Sequence, residues 1–113
     1  MELHANNFFG NIPSSLGNLT VLMNLYLLDN NLEGTIPLSL SKCKELFSLN
    51  LANNNLSGSI SLEAISLLFS LTFLNLFANQ FTGALPMEIG NFKNLEYLDI
   101  SENKFFGKIP SSL

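Results

Sequence analysis

Side chains capable of acid–base or nucleophilic chemistry are few in this sequence, and their spacing does not bring them together. The 113 residues include one histidine, His4, and one cysteine, Cys43. Nucleophilic catalysis needs a nucleophile and a base within hydrogen-bond reach, and the sequence pattern fixes no such partner beside His4. Asp99 and Glu102 form a pair of carboxylates, but we expect them on an open surface, where little would shift a pKa. We therefore predict no catalytic residue and no enzymatic activity.

Metal, cofactor and nucleic-acid sites are not predicted either. A single cysteine allows no internal disulfide and no multi-cysteine metal site, so Cys43 is interpreted as a small core residue. The sequence contains no phosphate-binding loop and no metal-ligand spacing. Its five basic residues are all lysines, scattered along a chain of net charge −4. A nucleic-acid-binding surface needs clustered lysine and arginine, so nucleic acid is not an expected partner.

What the sequence does contain is one pattern that recurs along its whole length. Between Leu22 and Pro37, apolar residues alternate at Leu25 and Leu27, as in a strand with one buried face. A sharp turn follows at Asp29, and a second, shorter extended run leads to the proline. Equivalent positions recur at intervals of 24 or 25 residues. A period of this length is typical of a solenoid.

The recurring pattern divides the chain into five copies, with no capping segment at either end. The copies span roughly residues 1–21, 22–45, 46–70, 71–94 and 95–113. After each extended run, apolar residues three apart favour a short 3₁₀ turn over a long helix. The predicted fold class is α/β: a solenoid with a curved parallel β-sheet on the concave face and short 3₁₀ or loop arcs on the convex side.

Two polar positions of the repeat are expected to be structural. An asparagine ends each predicted strand, and its amide group both donates and accepts hydrogen bonds, so a stacked row could satisfy backbone groups inside the turns. A glycine follows four residues later, where we expect unusual dihedral angles or close approach between coils. The asparagines are Asn6, Asn30, Asn54, Asn79 and Asn103, and the glycines are Gly10, Gly34, Gly58, Gly83 and Gly107.

Written out, the repeat is L-x-x-L-x-L-x-x-N-x-L-x-G-x-I-P-x-x-L-x-x-L, as in LMNLYLLDNNLEGTIPLSLSKCKEL. This pattern resembles the plant-specific class of leucine-rich repeat found in receptor kinases and receptor-like proteins of the cell surface. The stretches GNIPSSLGNLTVL and GKIPSSL are especially similar to receptor kinases of the rice blight-resistance and elongation-factor-Tu receptor group. The resemblance implies a protein- or peptide-binding module in immune or developmental signalling.

The resemblance also implies a location and partners. A module of this class lies on the extracellular side of the plasma membrane and binds a protein or peptide ligand and, in some cases, a co-receptor. Its parent chain can carry a serine/threonine kinase domain, which is absent from this sequence, as are a signal peptide and a transmembrane helix. We expect no membrane contact by this segment itself.

Two other hypotheses remain compatible with the sequence. A secreted leucine-rich-repeat enzyme inhibitor of the polygalacturonase-inhibitor type would carry the same repeat. So would a truncated remnant without independent function. The flanking sequence separates the receptor from the inhibitor, because a receptor continues into a membrane helix and, in a receptor kinase, a kinase domain.

Function is expected on the concave face, where strand residues between the buried leucines are exposed. Folding does not require large apolar side chains there, so clustered aromatic residues indicate a binding surface, although isolated aromatics also occur on solenoid sheets without a partner. Acidic residues of the last copy favour a neutral or basic partner, or form a solvated edge. The candidate partner-binding residues are Tyr26, Leu28, Phe73, Asn75, Phe77, Tyr97 and Asp99.

Two Asn-x-Ser/Thr sequences are candidate sites of N-glycosylation, at Asn18 and Asn55. Both are expected off the concave sheet, one on a return arc and the other just past a turn. Such triplets are common by chance in sequences rich in asparagine and serine, so they support secretion only weakly.

Overall fold

The structure is a computed structural model that describes residues 1–60, 71–84 and 94–106. Within these ranges a complete coil consists of a three-residue strand, a turn ending at the repeated asparagine, a second strand and a returning arc. Two arcs contain 3₁₀ helices, at Ser14–Asn18 and Leu38–Lys42. The strands are β1 (Phe9–Asn11), β2 (Asn24–Tyr26), β3 (Asn31–Gly34), β4 (Ser48–Asn50), β5 (Asn55–Gly58), β6 (Phe73–Asn75), β7 (Gln80–Ala84), β8 (Tyr97–Asp99) and β9 (Lys104–Phe106).

The first sheet consists of β2, β4, β6 and β8, which are parallel and adjacent in that order. Leucines at equivalent repeat positions pair directly, Leu25 with Leu49, and then Leu74 with Leu98. The repeat period therefore sets the register of this sheet without any offset. The predicted solenoid of parallel strands with short 3₁₀ arcs is confirmed.

A continuous cluster of buried leucines forms the core. Leu25, Leu49 and Leu76 are fully buried, and burying one such side chain contributes about 1.5–3 kcal/mol. Cys43 lies in the same cluster and is 1% exposed, so its predicted role as a core residue is confirmed. Burial raises the pKa of its thiol, which further disfavours the reactive thiolate form.

A second parallel sheet contains β1, β3, β5, β7 and β9. The sequence predicted these segments as short extended runs but not their pairing. Gly34 pairs with Leu56 rather than with the equivalent Gly58, and Gly58 in turn pairs with Phe81 rather than with Gly83. The second sheet is thus offset by two residues, about 6–7 Å, at each coil. The first sheet has no such offset, so the two sheets differ in how they pair equivalent residues of successive coils.

Four of the five repeated asparagines connect neighbouring coils, as predicted, whereas the side-chain amide of Asn6 donates to the carbonyl of His4 within its own coil. Asn54 accepts a 3.0 Å hydrogen bond from the amide of Leu32 through Oδ1. Its Nδ2 donates to the carbonyl of Leu27 at 2.9 Å and to that of Leu51 at 3.1 Å. The equivalent bonds to a preceding coil are made by Asn30, Asn79 and Asn103. Each asparagine therefore satisfies backbone groups that would otherwise be unpaired near the core.

Two positions in each turn have left-handed backbone conformations. The glycine position has φ near +80°, for example +80° at Gly34 and +86° at Gly58, which confirms the expectation of unusual dihedrals; Gly107 lies outside the described residues. The residue before the asparagine is also left-handed, with φ of 58° at Asp29, 56° at Asn53 and 57° at Ala78. Asparagine and aspartate tolerate this conformation well, whereas alanine does not.

The first two arcs pack closely against each other. A Cβ added at Gly17 would lie 2.7 Å from the Cβ of Ser39, so the two 3₁₀ helices could not approach in this way with a larger residue there. Ser39 also donates a 2.6 Å hydrogen bond to the carbonyl of Ser14. Within the described part of the chain, no helix has the length and apolar character needed to cross a bilayer.

Candidate binding surface

The candidate site is the face of the first sheet opposite the buried leucines, which we call the concave face. Its side chains form columns that run across the strands, one residue from each coil. The first column contains Asn24, Ser48, Phe73 and Tyr97, and the second contains Tyr26, Asn50, Asn75 and Asp99. Glu2 forms a bridge with Tyr26, which adds the first coil to the second column.

Phe73 and Tyr97 form a stacked aromatic pair on this face. Strand pairing places them side by side, with ring centroids 4.5 Å apart and ring planes 7° from parallel. Tyr97 is 43% exposed, and Phe73 is partly exposed. An aromatic pair contributes about 0.5–1.5 kcal/mol beyond its buried area. The sequence register placed these two residues level with each other, and the structure adds the ring contact.

The other apolar candidates are less exposed than the sequence suggested. Tyr26, Leu28 and Phe77 are all partly buried. The Tyr26 hydroxyl lies 3.1 Å from Oγ of Ser48, and this hydrogen bond directs the tyrosine side chain from the second column toward the first. Ser48 is itself buried. Tyr26 is therefore held by the fold, whereas Tyr97 presents more of its surface.

Asn75 and Asp99 have a structural role that the sequence did not reveal. Oδ1 of Asn75 accepts a hydrogen bond from the amide of Phe77 at 3.0 Å. Oδ1 of Asp99 accepts 3.0 and 2.6 Å bonds from the amide and hydroxyl of Ser101. Oδ1 of Asn50 likewise accepts a bond from the amide two residues later in the chain, that of Ala52. This column therefore fixes the ends of the strands, in addition to facing the concave side.

The hydrogen bonds to Asp99 also affect its charge. The Ser101 side chain, then its backbone amide and, more weakly, Tyr97 lower the pKa of the Asp99 carboxyl, while slight desolvation opposes them. Hydrogen bonds to the ionised form stabilise that form. Asp99 therefore remains negatively charged across the physiological range.

Charge on the described residues is distributed unevenly between the two sides of the coil. The outward columns of the first sheet, with the positions that flank them just before the first column and at the left-handed turn residue, contain His4 and no described lysine. Their carboxylates are Glu2, Asp29, Glu96, Asp99 and Glu102, and two further described carboxylates, Glu33 and Glu45, lie elsewhere. The described lysines lie elsewhere: Lys42 ends a 3₁₀ helix, Lys44 follows on the same arc, and Lys104 begins β9. The concave face is therefore the more negative surface.

Sequence reasoning missed two apolar residues at the edge of this face. Met23 and Phe47 occupy the position just before the first column and are 55% and 38% exposed. Phe47 donates its amide hydrogen to the carbonyl of Met23, so the two lie on adjacent coils. The signal was available, because the same repeat position carries a large apolar residue in two consecutive copies.

Outside the concave face, the described residues enclose an apolar cavity but form no cluster suited to a metal ion. A cavity of about 260 Å³ lies where the core opens at the first coil, lined mainly by apolar side chains such as Leu3, Phe8 and Leu16. Within those same ranges, no three His, Cys, Asp or Glu residues are arranged to hold a metal ion.

Comparison with known proteins identifies the family to which this chain belongs. The family model described as Leucine Rich Repeat matches residues 21–43, 45–67, 70–92 and 94–113. The chain belongs to the leucine-rich repeat family. Receptor-like protein 41 of Arabidopsis thaliana is 37% identical to it over 112 residues, which is 98% of this chain but only 13% of that protein.

Solved structures point to the same group of proteins. The ectodomain of the receptor kinase SOBIR1 from Arabidopsis thaliana is 34% identical, with a TM-score of 0.90 over 99% of this chain and 60% of that one. The Arabidopsis receptor kinase HAESA, solved with the peptide hormone IDA and the co-receptor SERK1, is 39% identical. Its TM-score is 0.89 over 97% of this chain and 18% of that one. The chain is thus homologous to a segment of plant receptor ectodomains.

Proposed function

We propose that this chain is part of the extracellular recognition domain of a plant receptor-like protein or receptor kinase, and that it binds a protein or peptide on its concave face. The stacked pair Phe73 and Tyr97 carries the proposal. Large aromatic side chains that stay partly exposed on a polar face add nothing that the solenoid core needs, and such residues are enriched at protein interfaces.

The surroundings of the pair have the composition of an interface. Polar side chains border it, from Asn75 on the same strand to Asp99 on the next. Phe77 follows on the same chain segment and is partly exposed. An aromatic centre with a polar, wet border is the usual arrangement of binding hot spots. Tyr26 and Leu28 extend the same surface toward the first coil.

The similar proteins support this reading. They include plant receptors, and one of them, HAESA, was solved with a peptide hormone and a co-receptor. This chain covers only 13% of the receptor-like protein reported above, so its own ligand and any co-receptor contact form part of the proposal. We therefore also propose that the module lies outside the cell and has no catalytic activity. No observation on the described residues favours an enzyme inhibitor over a receptor.

The proposal is tested by matched substitutions on the two sides of the coil. The chain is used to capture secreted peptides from plant extracellular fluid, and the affinity of each captured peptide is measured for wild type, Phe77→Ala and Lys42→Ala. An interface anchor should lose at least about 1–2 kcal/mol of binding free energy on truncation. Lys42 is exposed on an arc and should have little effect. A damaging lysine variant beside a silent phenylalanine variant would refute the concave-face assignment.

We further propose that Asn18 and Asn55 carry N-linked glycans when the module is secreted. Both side chains are exposed, Asn18 at the end of a 3₁₀ helix and Asn55 at the start of β5. Both lie off the concave columns, so glycans there would leave that face open. Secretion from plant cells should yield a protein whose mass falls on enzymatic deglycosylation. Asn18→Gln and Asn55→Gln should each remove one glycan, and unchanged masses would contradict the proposal.

A further inference from the structure

We propose that the ligand of the concave face is a cationic peptide segment that places an apolar side chain against Phe73 and Tyr97 and directs lysine or arginine side chains to the carboxylates of the last described coil. This inference rests on the proposed function, because it names the chemical class of the concave-face ligand. It follows from charge complementarity with a sheet face that already presents an aromatic contact surface.

The aromatic surface and the negative charge belong to the same strand. Tyr97, the most exposed ring of the pair, is preceded by Glu96 and followed two residues later by Asp99 on the same face. Glu102 follows in the turn, three residues after the end of the strand, and is exposed. A ligand side chain on the rings of Phe73 and Tyr97 therefore brings its neighbours close to carboxylates, and cations are favoured next to both carboxylates and aromatic rings.

The uneven distribution of charge on the coil also favours a cationic ligand over an acidic one. The concave columns and their flanks hold five carboxylates, and the described lysines lie on an arc and on the second sheet. On the concave face of the described residues, an acidic ligand would meet like charges, which disfavours its binding and slows its association. Glu96, Asp99 and Glu102 lie within seven residues of one another, whereas Glu2 and Asp29 belong to other coils. Among the described residues, the strongest negative potential of the concave face is therefore expected around Glu96, Asp99 and Glu102.

The spacing of the coils suits an extended ligand. Parallel strands lie about 4.8 Å apart, and an extended peptide advances about 3.3 Å per residue. A segment running across the four strands of the first sheet therefore needs about five residues. Such a segment could place an apolar residue on the Phe73–Tyr97 pair and a cationic one beside Asp99 without leaving the extended conformation.

The structure supplies variants that remove charge while preserving the fold. Asn50 and Asn75 make the same side-chain-to-backbone bond as Asp99, so Asp99→Asn retains that bond. Asn53 and Glu102 share a φ of 56°, so Glu102→Asn suits the backbone. A control double variant, Glu33→Gln with Glu45→Gln, removes the same net charge from exposed positions outside the concave columns.

The test measures the affinity of three short synthetic peptides by fluorescence anisotropy at low and physiological salt. The first carries lysine and phenylalanine among serine spacers, the second has glutamate for lysine, and the third has serine for phenylalanine. The lysine–phenylalanine peptide should bind wild type and the Glu33/Glu45 control equally. The Asp99→Asn/Glu102→Asn variant should bind it on the order of tenfold more weakly, about 1.4 kcal/mol.

Each alternative outcome has a separate meaning. Equal losses in both double variants would show attraction to net charge alone and would overturn the inference, as would an absence of binding to the lysine–phenylalanine peptide. The glutamate peptide could instead bind more tightly than the lysine–phenylalanine peptide, and Phe77→Ala could abolish that binding. This result would overturn the proposal of a cationic ligand and leave concave-face recognition intact. Equal affinity for the peptide lacking phenylalanine would remove the role of the Phe73–Tyr97 pair.

Discussion

Nδ2 of Asn54 donates a 2.9 Å hydrogen bond to the backbone carbonyl of Leu27, one coil earlier in the chain. Through Oδ1 the same side chain accepts a bond from the amide of Leu32. One amide group thus spans the step between two coils, at the point where each first-sheet strand ends and the chain turns toward the second sheet. The concave face is held in place by this row of contacts.

Replacing Asn54 with alanine should therefore destabilise the protein. Loss of the amide leaves a carbonyl and an N–H unpaired near the core, which costs about 1–3 kcal/mol. Asn55→Ala is the matched control, because Asn55 is exposed and such surface changes usually fall within roughly ±0.5 kcal/mol. Urea unfolding monitored by circular dichroism gives both values. Equal midpoints for the two variants would contradict the assigned register.

The neighbouring Asn53 looks like an equally suitable control from the sequence, but the structure shows that it is not. It has a φ of 56°, and its Nδ2 donates a hydrogen bond to Asp29. Neither property can be read from composition or period, because both depend on the path of the backbone through the turn.

Ala78 and Asn53 occupy the same left-handed position in different coils and allow a reciprocal test. Left-handed conformation costs a non-glycine residue such as alanine roughly 1–2 kcal/mol, and asparagine tolerates it better. Ala78→Asn should therefore raise the free energy of unfolding, by up to about 1 kcal/mol, and Asn53→Ala should lower it. Thermal melts of the two single variants measure both effects. Opposite signs are expected, and a destabilising Ala78→Asn would show that strain at this position is relieved in another way.

The pH dependence of stability should reveal the bonds made by Asp99. Its pKa is lower in the folded state than in the unfolded state, first because of the Ser101 hydroxyl and then its amide. The stabilisation is therefore complete above the unfolded value, about 3.9, and is lost as pH falls through the lower folded value. Asp99→Asn keeps the acceptor but does not titrate. The advantage of wild type over this variant should shrink between pH 6 and strongly acidic pH.

Urea unfolding at a series of pH values measures that difference. A constant difference between wild type and Asp99→Asn across the range would mean that the hydrogen bonds from Ser101 do not favour the charged carboxylate.

The first sheet could be predicted from the sequence because its register follows the repeat without offset. Once Leu25 and Leu49 are known to be equivalent, every outward column is determined, including the level placement of Phe73 and Tyr97. The second sheet could not be predicted in this way. Its offset of two residues per coil, as between Gly34 and Leu56, depends on the path of the backbone through the turns, and the period contains no information about that path.

Side-chain direction limited the prediction of the binding surface in a similar way. The period placed Asn75 and Asp99 on the concave face correctly, but not their hydrogen bonds to the backbone two residues later. Tyr26 was predicted as a partner-binding residue, but the period did not indicate that its hydroxyl would form a hydrogen bond with Ser48. Whether these residues contact a partner stays a prediction.

Nuclear magnetic resonance of the isotopically labelled chain, titrated with a captured peptide ligand, tests concave-face recognition most directly. The amide signals of the strands that carry Phe73 and Tyr97, and of Phe77, should shift as ligand is added. Those of Lys42 and Lys44 on the arc, and of Lys104 on the second sheet, should remain in place. Shifts confined to the arc or the second sheet, with the Phe73–Tyr97 strands unchanged, would contradict the account.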